Sequence, residues 1–246
     1  MNFISKRKKS STQLSQLRIV LIGRVGAGKT GLMKTILRSS KDYKEPDSES
    51  HLCVCSNTEK CHKEKVEIDN QEVVVVDTSG LCHYEKTDEE VMEEVKRCVS
   101  LASPGPHAFL IVLDELKFTV ELQNMVEFVW KTFGKNAAKY ALVVFTHKHE
   151  LERGNKTVAD FIKANSQLQQ FVFKCGGQYF GFENTDLDPA QVTDLLKKIQ
   201  GMVNKNNGKY YIRNETRENI KLVICSCGLL GAAGGFVASY FVGNVI

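Results

Sequence analysis

The stretch Leu17–Thr30, LRIVLIGRVGAGKT, constrains this chain more than any other. An apolar run, Leu17, Ile19, Val20, Leu21 and Ile22, stops abruptly at a glycine. The segment Gly23-Arg24-Val25-Gly26-Ala27-Gly28-Lys29-Thr30 then has the spacing G-x-x-x-x-G-K-[ST]. A buried strand feeding such a loop, with a helix opening behind it, is the arrangement that cradles phosphate. Glycines lack a Cβ, so successive backbone N–H groups can curl around phosphate oxygens. Lys29 supplies a point charge for the β- and γ-phosphates, and the Thr30 hydroxyl is placed to ligate Mg²⁺. An ordinary glycine-rich turn requires neither the strand before nor the helix after. The expectation is a chain that binds a nucleotide.

The rest of the sequence alternates between two periodicities. Leu32, Met33, Ile36 and Leu37 share one helical face behind the loop. Lys65–Ile68, an Asp69-Asn70 turn and Glu72–Asp77 read as an edge hairpin leading into a central strand. Val91, Val95, Cys98, Val99 and Ala102 return to helical spacing until Pro104-Gly105-Pro106 stops it. His107–Leu113 and Tyr140–Thr146 read as short, fully buried strands, and Gln178–Phe182 as a last short one. Thr119 can cap a helix burying Leu122, Met125, Val126, Val129 and Phe133, and one longer helical region covers about 157–174. Asp188-Pro189 opens a helix carrying Val192, Leu195, Ile199 and Met202. Strands alternating with helices predict an α/β fold, a mostly parallel sheet with helices on both faces. Ligands then sit at the carboxyl ends of the strands. The expected organisation is a basic arm at 1–16, a nucleotide-binding domain at 17–205, a linker at 206–221 and an apolar helix at 222–246.

Composition narrows the partners. A net charge of +4 from 33 basic and 29 acidic residues is too mild to predict nucleic-acid binding. Lys6-Arg7-Lys8-Lys9 reads as a solvated tail rather than a lipid-binding patch, and no apolar core comes after it to make a secretory signal. Eight cysteines without a small-scaffold pattern predict reduced thiols and a cytosolic chain. His51, Cys53, Cys55, Cys61 and His62 form a soft-ligand cluster, but their spacing is not that of a paired zinc motif.

Two further boxes end apolar strands. Asp77-Thr78-Ser79-Gly80 fits a second nucleotide motif, with Asp77 holding Mg²⁺ and the Gly80 N–H meeting the γ-phosphate. Thr146-His147-Lys148-His149-Glu150 falls where a GTPase reads its base. The Lys148 stem packs on the ring and the acid at Glu150 accepts the guanine N1–H and N2–H, two donors that adenine lacks. Asp is usual there, so Glu150 puts guanine selectivity to the test.

These boxes, with Cys98–Ala108 (CVSLASPGPHA), Phe145-Thr146-His147-Lys148 and Cys175–Asn184 (CGGQYFGFEN), resemble the GIMAP family, the GTPases of immunity-associated proteins. The resemblance covers about 17–205 and implies a P-loop G domain that binds GTP or GDP with Mg²⁺. It also implies self-association through the nucleotide face. On it, Thr58 matches the switch threonine that contacts Mg²⁺ and γ-phosphate. Glu183 and Asn184 fall in the last motif, with Asn184 beside the base. Ser79 replaces a usual Pro, and Lys117 stands where an Arg near the dimer face is frequent. Lys cannot reproduce a bidentate arginine contact. Leu81 occupies the place of a water-orienting Gln, and His83 nearby reads as a solvated loop histidine. No catalytic residue is assigned. The expected output is a switch or scaffold with slow or partner-dependent GTP hydrolysis. The alternative is an autonomous hydrolase of GTP or ATP.

Leu222–Ile246 carries no charged residue. As a helix it would span about 37 Å, against about 30 Å of hydrocarbon. Gly231, Gly235, Ser239 and Gly243 recur every fourth residue, a stripe that permits close helix approach. Arg213, Arg217 and Lys221 precede it. The expectation is a membrane anchor on the cytosolic face of an intracellular membrane, in preference to a helix docked on its own domain.

Overall fold

Strand β1 (Gln16–Ile22) has every residue after Gln16 buried, because it runs through the middle of a six-stranded sheet. The computed structural model describes residues 14–44, 61–78, 88–114, 133–185 and 188–212. β1 lies between β3 (Gln71–Asp77) and β4 (Ala108–Asp114), parallel to both, with Leu21 opposite Asp77 and Leu110. β5 (Ala141–Thr146) and β6 (Tyr179–Gly181) extend the sheet in parallel, while β2 (His62–Ile68) closes the other edge antiparallel to β3. The order is β2-β3-β1-β4-β5-β6. Covered central strands are apolar on both faces, as β1, β3, β4 and β5 are; edge strand β2 buries only Val66 and Ile68. Its turn is tight because Asp69 and Asn70 both take positive φ, the two-residue hairpin geometry that short polar side chains tolerate.

Alternate strand residues feed two cores. Leu17, Ile19, Leu21, Leu110, Val112, Leu142 and Val144 pack with helices α1 (Lys29–Arg38) and α6 (Pro189–Lys205). Val20, Ile22, Phe109, Ile111, Val143 and Phe145 pack on the opposite face with α2 (Asp88–Ser100), α4 (Val158–Ala164) and α5 (Ser166–Lys174). The mostly parallel sheet covered on both faces is therefore present among the described residues. α6 begins as its residues dictate: the Asp188 carboxylate accepts from Ala190 N, and Pro189 stands in the first turn.

Three expectations change. The single helical region at 157–174 is two helices, because Asn165 is extended and its side chain accepts from Gln167 N and Leu168 N, capping a new start. A 3₁₀ turn at Lys135–Tyr140 and a short helix, α3 (Lys148–Arg153), stand where no helix was expected. Cys61 and Cys98 are joined as a disulfide across 37 residues of sequence, with Cα atoms 5.5 Å apart. That corrects the reading of reduced thiols for this pair and removes Cys61 from any zinc set. The His62 ring instead meets Glu64 at 2.6 Å, and among the described residues no group of three His, Cys, Asp or Glu is placed to hold a metal. Topology made the pairing: Cys61 precedes edge strand β2 and Cys98 lies on the helix packed beneath it. Cys175 is a buried free thiol whose pKa burial pushes up.

The Ser103–Ala108 box lies at the amino ends of the strands, away from the phosphate loop. Arg18 is buried there, donating to Gly105 O at 2.7 Å and Gln16 Oε1 at 2.8 Å, with its guanidinium 5.1 Å from the centre of the Tyr210 ring. His107 Nδ1 accepts from Arg18 N at 3.1 Å. Burial, and then the Arg18 charge, lower the His107 pKa to about 4, so the ring is neutral. The chain after α6 returns to this corner: Tyr211 N donates to Pro106 O at 2.8 Å, and the Tyr211 ring is buried against Phe109 and Phe133. A Cβ on Gly105 would collide with the Tyr211 carbonyl, which accounts for the glycine.

Residues 1–13, the helix expected from Thr119 up to residue 132, and the whole of Arg213–Ile246 lie outside the described residues, while Phe133 is buried as expected. Among those described, no helix is long and apolar enough to cross a membrane.

Candidate nucleotide-binding site

β1 ends at Ile22, and the loop behind it is shaped by two residues only glycine suits. Gly26 and Gly28 take φ of 79° and 88°. Gly23 is fixed by proximity instead, since a Cβ there would lie 2.5 Å from the Val112 carbonyl oxygen. Inside the curve, Lys29 Nζ donates to Gly23 O at 3.1 Å and Arg24 O at 2.8 Å, and the residue is only 6% exposed. The charge is thus brought inward where phosphate would meet it. Arg24, Val25, Gly26 and Ala27 form one wall of a cavity of about 260 Å³ whose other wall is Val112, Leu113 and Asp114.

Below the loop, Thr30 Oγ1 donates to Asp77 Oδ2 at 2.6 Å. Asp77 is 1% exposed, and its Oδ1 is buried with no hydrogen-bond partner. Burial raises the Asp77 pKa, opposed by the Thr30 hydrogen bond and the Lys29 charge. A buried carboxylate oxygen left over beside a hydroxyl is a hard-oxygen donor set, the kind Mg²⁺ takes. The residues fit the ion. Asp77→Asn is expected to weaken Mg²⁺-dependent nucleotide binding by about tenfold or more, since a charged ligand is lost. Affinities measured with Mg²⁺ and with chelator check this; an unchanged ratio refutes the assignment.

The segment expected to read the base sits at the end of β5. Thr146 Oγ1 lies 3.1 Å from both Ala27 O and Leu113 O, so it ties the phosphate loop to β4. His147 takes a left-handed φ of 59°, turning the chain into α3, with Nδ1 3.5 Å from the Asp114 carboxylate. Lys148 pairs with Glu152 at 2.8 Å, and its stem runs beside Gly181. Glu150 meets His149 Nε2 at 2.8 Å and an Arg153 nitrogen at 3.1 Å.

The last motif reaches the loop directly. Asn184 Nδ2 donates to Gly28 O at 3.1 Å, and its backbone oxygen accepts from the Thr35 hydroxyl at 3.3 Å. Asn184 Oδ1 is buried without a partner. Glu183 turns away from this contact. Its Oε1 accepts from Thr185 N and Oγ1 at 3.1 and 2.7 Å, and its Oε2 accepts from His149 N at 3.3 Å and meets the His149 ring. Burial pushes the Glu183 pKa up, but these donors outweigh it and hold the carboxyl at about 2.

Thus the loop residues Gly23–Thr30, Asp77, Thr146 and Asn184 are linked through hydrogen bonds. His147, Lys148, Glu150 and Glu183 lie on neighbouring connections at the same end of the sheet. Thr58, Gly80 and the neighbours Ser79, Leu81, His83 and Lys117 lie outside the described residues. Sequence reasoning assigned no role to Asp114 or His149. An acid at the carboxyl end of a central strand was the available signal for the first.

The AIG1 family pattern matches residues 17–227. The chain belongs to the AIG1 family. GTPase IMAP family member 8 of Homo sapiens is 30% identical to it over 210 residues, covering 84% of this chain and 30% of that protein. Immune-associated nucleotide-binding protein 9 of Arabidopsis thaliana is 30% identical over 200 residues, covering 78% of this chain and 57% of that protein. The AIG1-family chain therefore spans less than two thirds of the length of either relative. Toc33 from Arabidopsis thaliana in complex with GDP and Mg²⁺ matches with a TM-score of 0.55 at 17% identity, covering 82% of this chain and 89% of that one. At that identity the likeness is one of fold.

Proposed function

We propose that the chain is a guanine-nucleotide-binding switch or scaffold. Its output is self-association through the nucleotide face, with GTP hydrolysis that is slow or needs a partner. The observation that carries nucleotide and Mg²⁺ binding is the Thr30–Asp77 contact, with Asp77 Oδ1 left unpartnered beneath the Lys29 loop. The names of the two relatives, a GTPase and a nucleotide-binding protein, and the GDP–Mg²⁺ complex of Toc33, support the same reading.

Each group has a stated task. Loop N–H groups from Gly23 to Thr30 cradle the phosphates, and Lys29 compensates their charge. Thr30 and Asp77, joined by Thr58 on the family resemblance, hold Mg²⁺; the ion neutralises charge on the phosphate oxygens when bound. The Gly80 N–H meets the terminal phosphate. His147 and Lys148 border the base beside Asn184, and Glu150 accepts the guanine N–H donors. Glu183 acts behind them, fixing the loop. Leu81 cannot orient a water, so rapid hydrolysis by one chain alone is not expected. Leu222–Ile246 attaches the protein to the cytosolic face of an intracellular membrane, its uncharged length being the support for that placement.

The test is sedimentation and turnover of the full chain with GDP, with a non-hydrolysable GTP analogue and without nucleotide. The expected result is a larger species with the analogue, and a rate per molecule that rises with protein concentration. Fast turnover independent of concentration would replace the switch by an autonomous hydrolase. Equal competition by ATP would remove the guanine assignment.

A further inference from the structure

His149 stands between two acids from different parts of the chain. Its Nδ1 contacts Glu183 Oε2, on the connection from β6 to α6, and its Nε2 lies 2.8 Å from Glu150 Oε1 on its own helix. Ionised carboxylates only accept hydrogen bonds, so an imidazole that satisfies one on each nitrogen must donate from both. The bridge is therefore made by imidazolium.

One end of the bridge is immobile. Glu183 is 8% exposed, bonded to Thr185 through one oxygen and to His149 through the other. Its backbone is also fixed, with Glu183 N donating to Gln191 Oε1 at 3.1 Å and Gln191 Nε2 donating to Glu183 O at 3.0 Å. The other end is mobile by nature: Glu150 has one more rotatable bond than the aspartate usual at its place, and it is half-exposed. Arg153 reaches the same Glu150 oxygen at 3.1 Å, but it is a surface side chain 73% exposed and anchors nothing.

We propose that His149 is a positioning residue for base selection: bridging Glu183 and Glu150, it holds the Glu150 carboxylate ready for the two N–H donors of guanine. The inference rests on the reading of Glu150 as the guanine acceptor. Immobilising a rotor-rich side chain before the ligand arrives removes that ordering from the binding step, worth about 3- to 10-fold in affinity.

The groups around His149 define its pH dependence. Glu183 faces it from the β6–α6 connection and Glu150 from α3. The His147 ring lies edge-on at 6.5 Å, itself beside Asp114 at the end of β4. The Glu183 hydrogen bond, with the charges of both acids, raises the His149 pKa above its ordinary 6.5. The bridge is complete below that raised value and loses one end as pH rises through it, because neutral imidazole has a single N–H.

The experiment measures GDP, IDP and ADP affinities for the full chain and for its His149→Ala, Glu150→Gln and Glu183→Gln forms. IDP lacks the guanine 2-amino group. His149→Ala and Glu183→Gln are each expected to lower GDP affinity about 3- to 10-fold and to narrow the GDP-over-IDP preference, leaving ADP unchanged. In the unaltered protein, that preference should decline as pH rises from about 6 to about 8, below the range where the purine N1–H itself ionises, and the decline should vanish in His149→Ala. Equal weakening of all three nucleotides would make the bridge merely structural and overturn the proposal. A preference lost in Glu150→Gln but intact in His149→Ala overturns it while leaving the guanine reading standing. A preference intact in Glu150→Gln removes that reading, and the proposal with it. The wild-type pH profile decides without any variant: a flat preference refutes the bridge.

Discussion

Lys29→Ala is expected to weaken GDP binding by about 100-fold while leaving the fold intact. A charge-assisted hydrogen bond contributes about 1.5–3 kcal/mol, and on the proposed reading this ammonium meets both the β- and γ-phosphates. The upper end of that range, about 3 kcal/mol, corresponds to about 100-fold. Within the protein, Lys29 is 6% exposed, donates to the Gly23 and Arg24 carbonyls, and its charge also acts on the buried Asp77 carboxyl. Its removal leaves those two carbonyls and the Asp77 carboxyl without their cation, a modest loss of about 1–2 kcal/mol for the nucleotide-free protein. The two measurements should therefore differ in scale: calorimetric affinity collapses, while the thermal midpoint falls only by a few degrees. A variant that binds GDP within about threefold of the parent would remove Lys29 from the phosphate site.

Gly28→Ala should destabilise the protein by about 2–3 kcal/mol, and Gly26→Ala by less. At Gly28 two penalties combine. The left-handed conformation, φ of 88°, costs an L-residue about 1–2 kcal/mol. The new methyl would also lie 2.6 Å from Asn184 Nδ2 and 3.0 Å from Thr146 Cγ2. Asn184 would have to surrender its bond to Gly28 O, for about a further 1 kcal/mol. Gly26 has φ of 79° but nothing within 4 Å of its added Cβ, so it incurs the conformational penalty alone. Urea denaturation of both variants checks the ordering. Equal losses would show that the contact with Asn184 is slack.

The same pair of glycines shows what the sequence made legible. The loop spacing, the strand before it and the helix after it were readable, because each arises from local chemistry: apolar run, missing Cβ, helical period. Asp77 was readable for the same reason, as an acid ending an apolar strand. Asn184 was not, since its place against Gly28 is created by a contact 156 residues away in sequence. The family resemblance alone suggested it, and the geometry gives it the more specific task of bracing the loop. The break at Asn165 was hidden because helical apolar spacing continues across it, whereas its capping bonds depend on one side chain turning inward. The Cys61–Cys98 pair lay equally out of reach: no spacing rule links the start of an edge strand to the helix that happens to pass under it.

The corner built by Arg18, His107 and Tyr211 has a mechanical meaning. Tyr211 is bonded to Pro106 and Phe133, so a pull on the chain beyond Ile212 is borne at the amino ends of β1 and β4. The phosphate loop, at the carboxyl end of β1, is out of that line of force. Load and chemistry are assigned to opposite poles of one sheet. Load applied at Ile212 therefore leaves the shape of the loop unchanged.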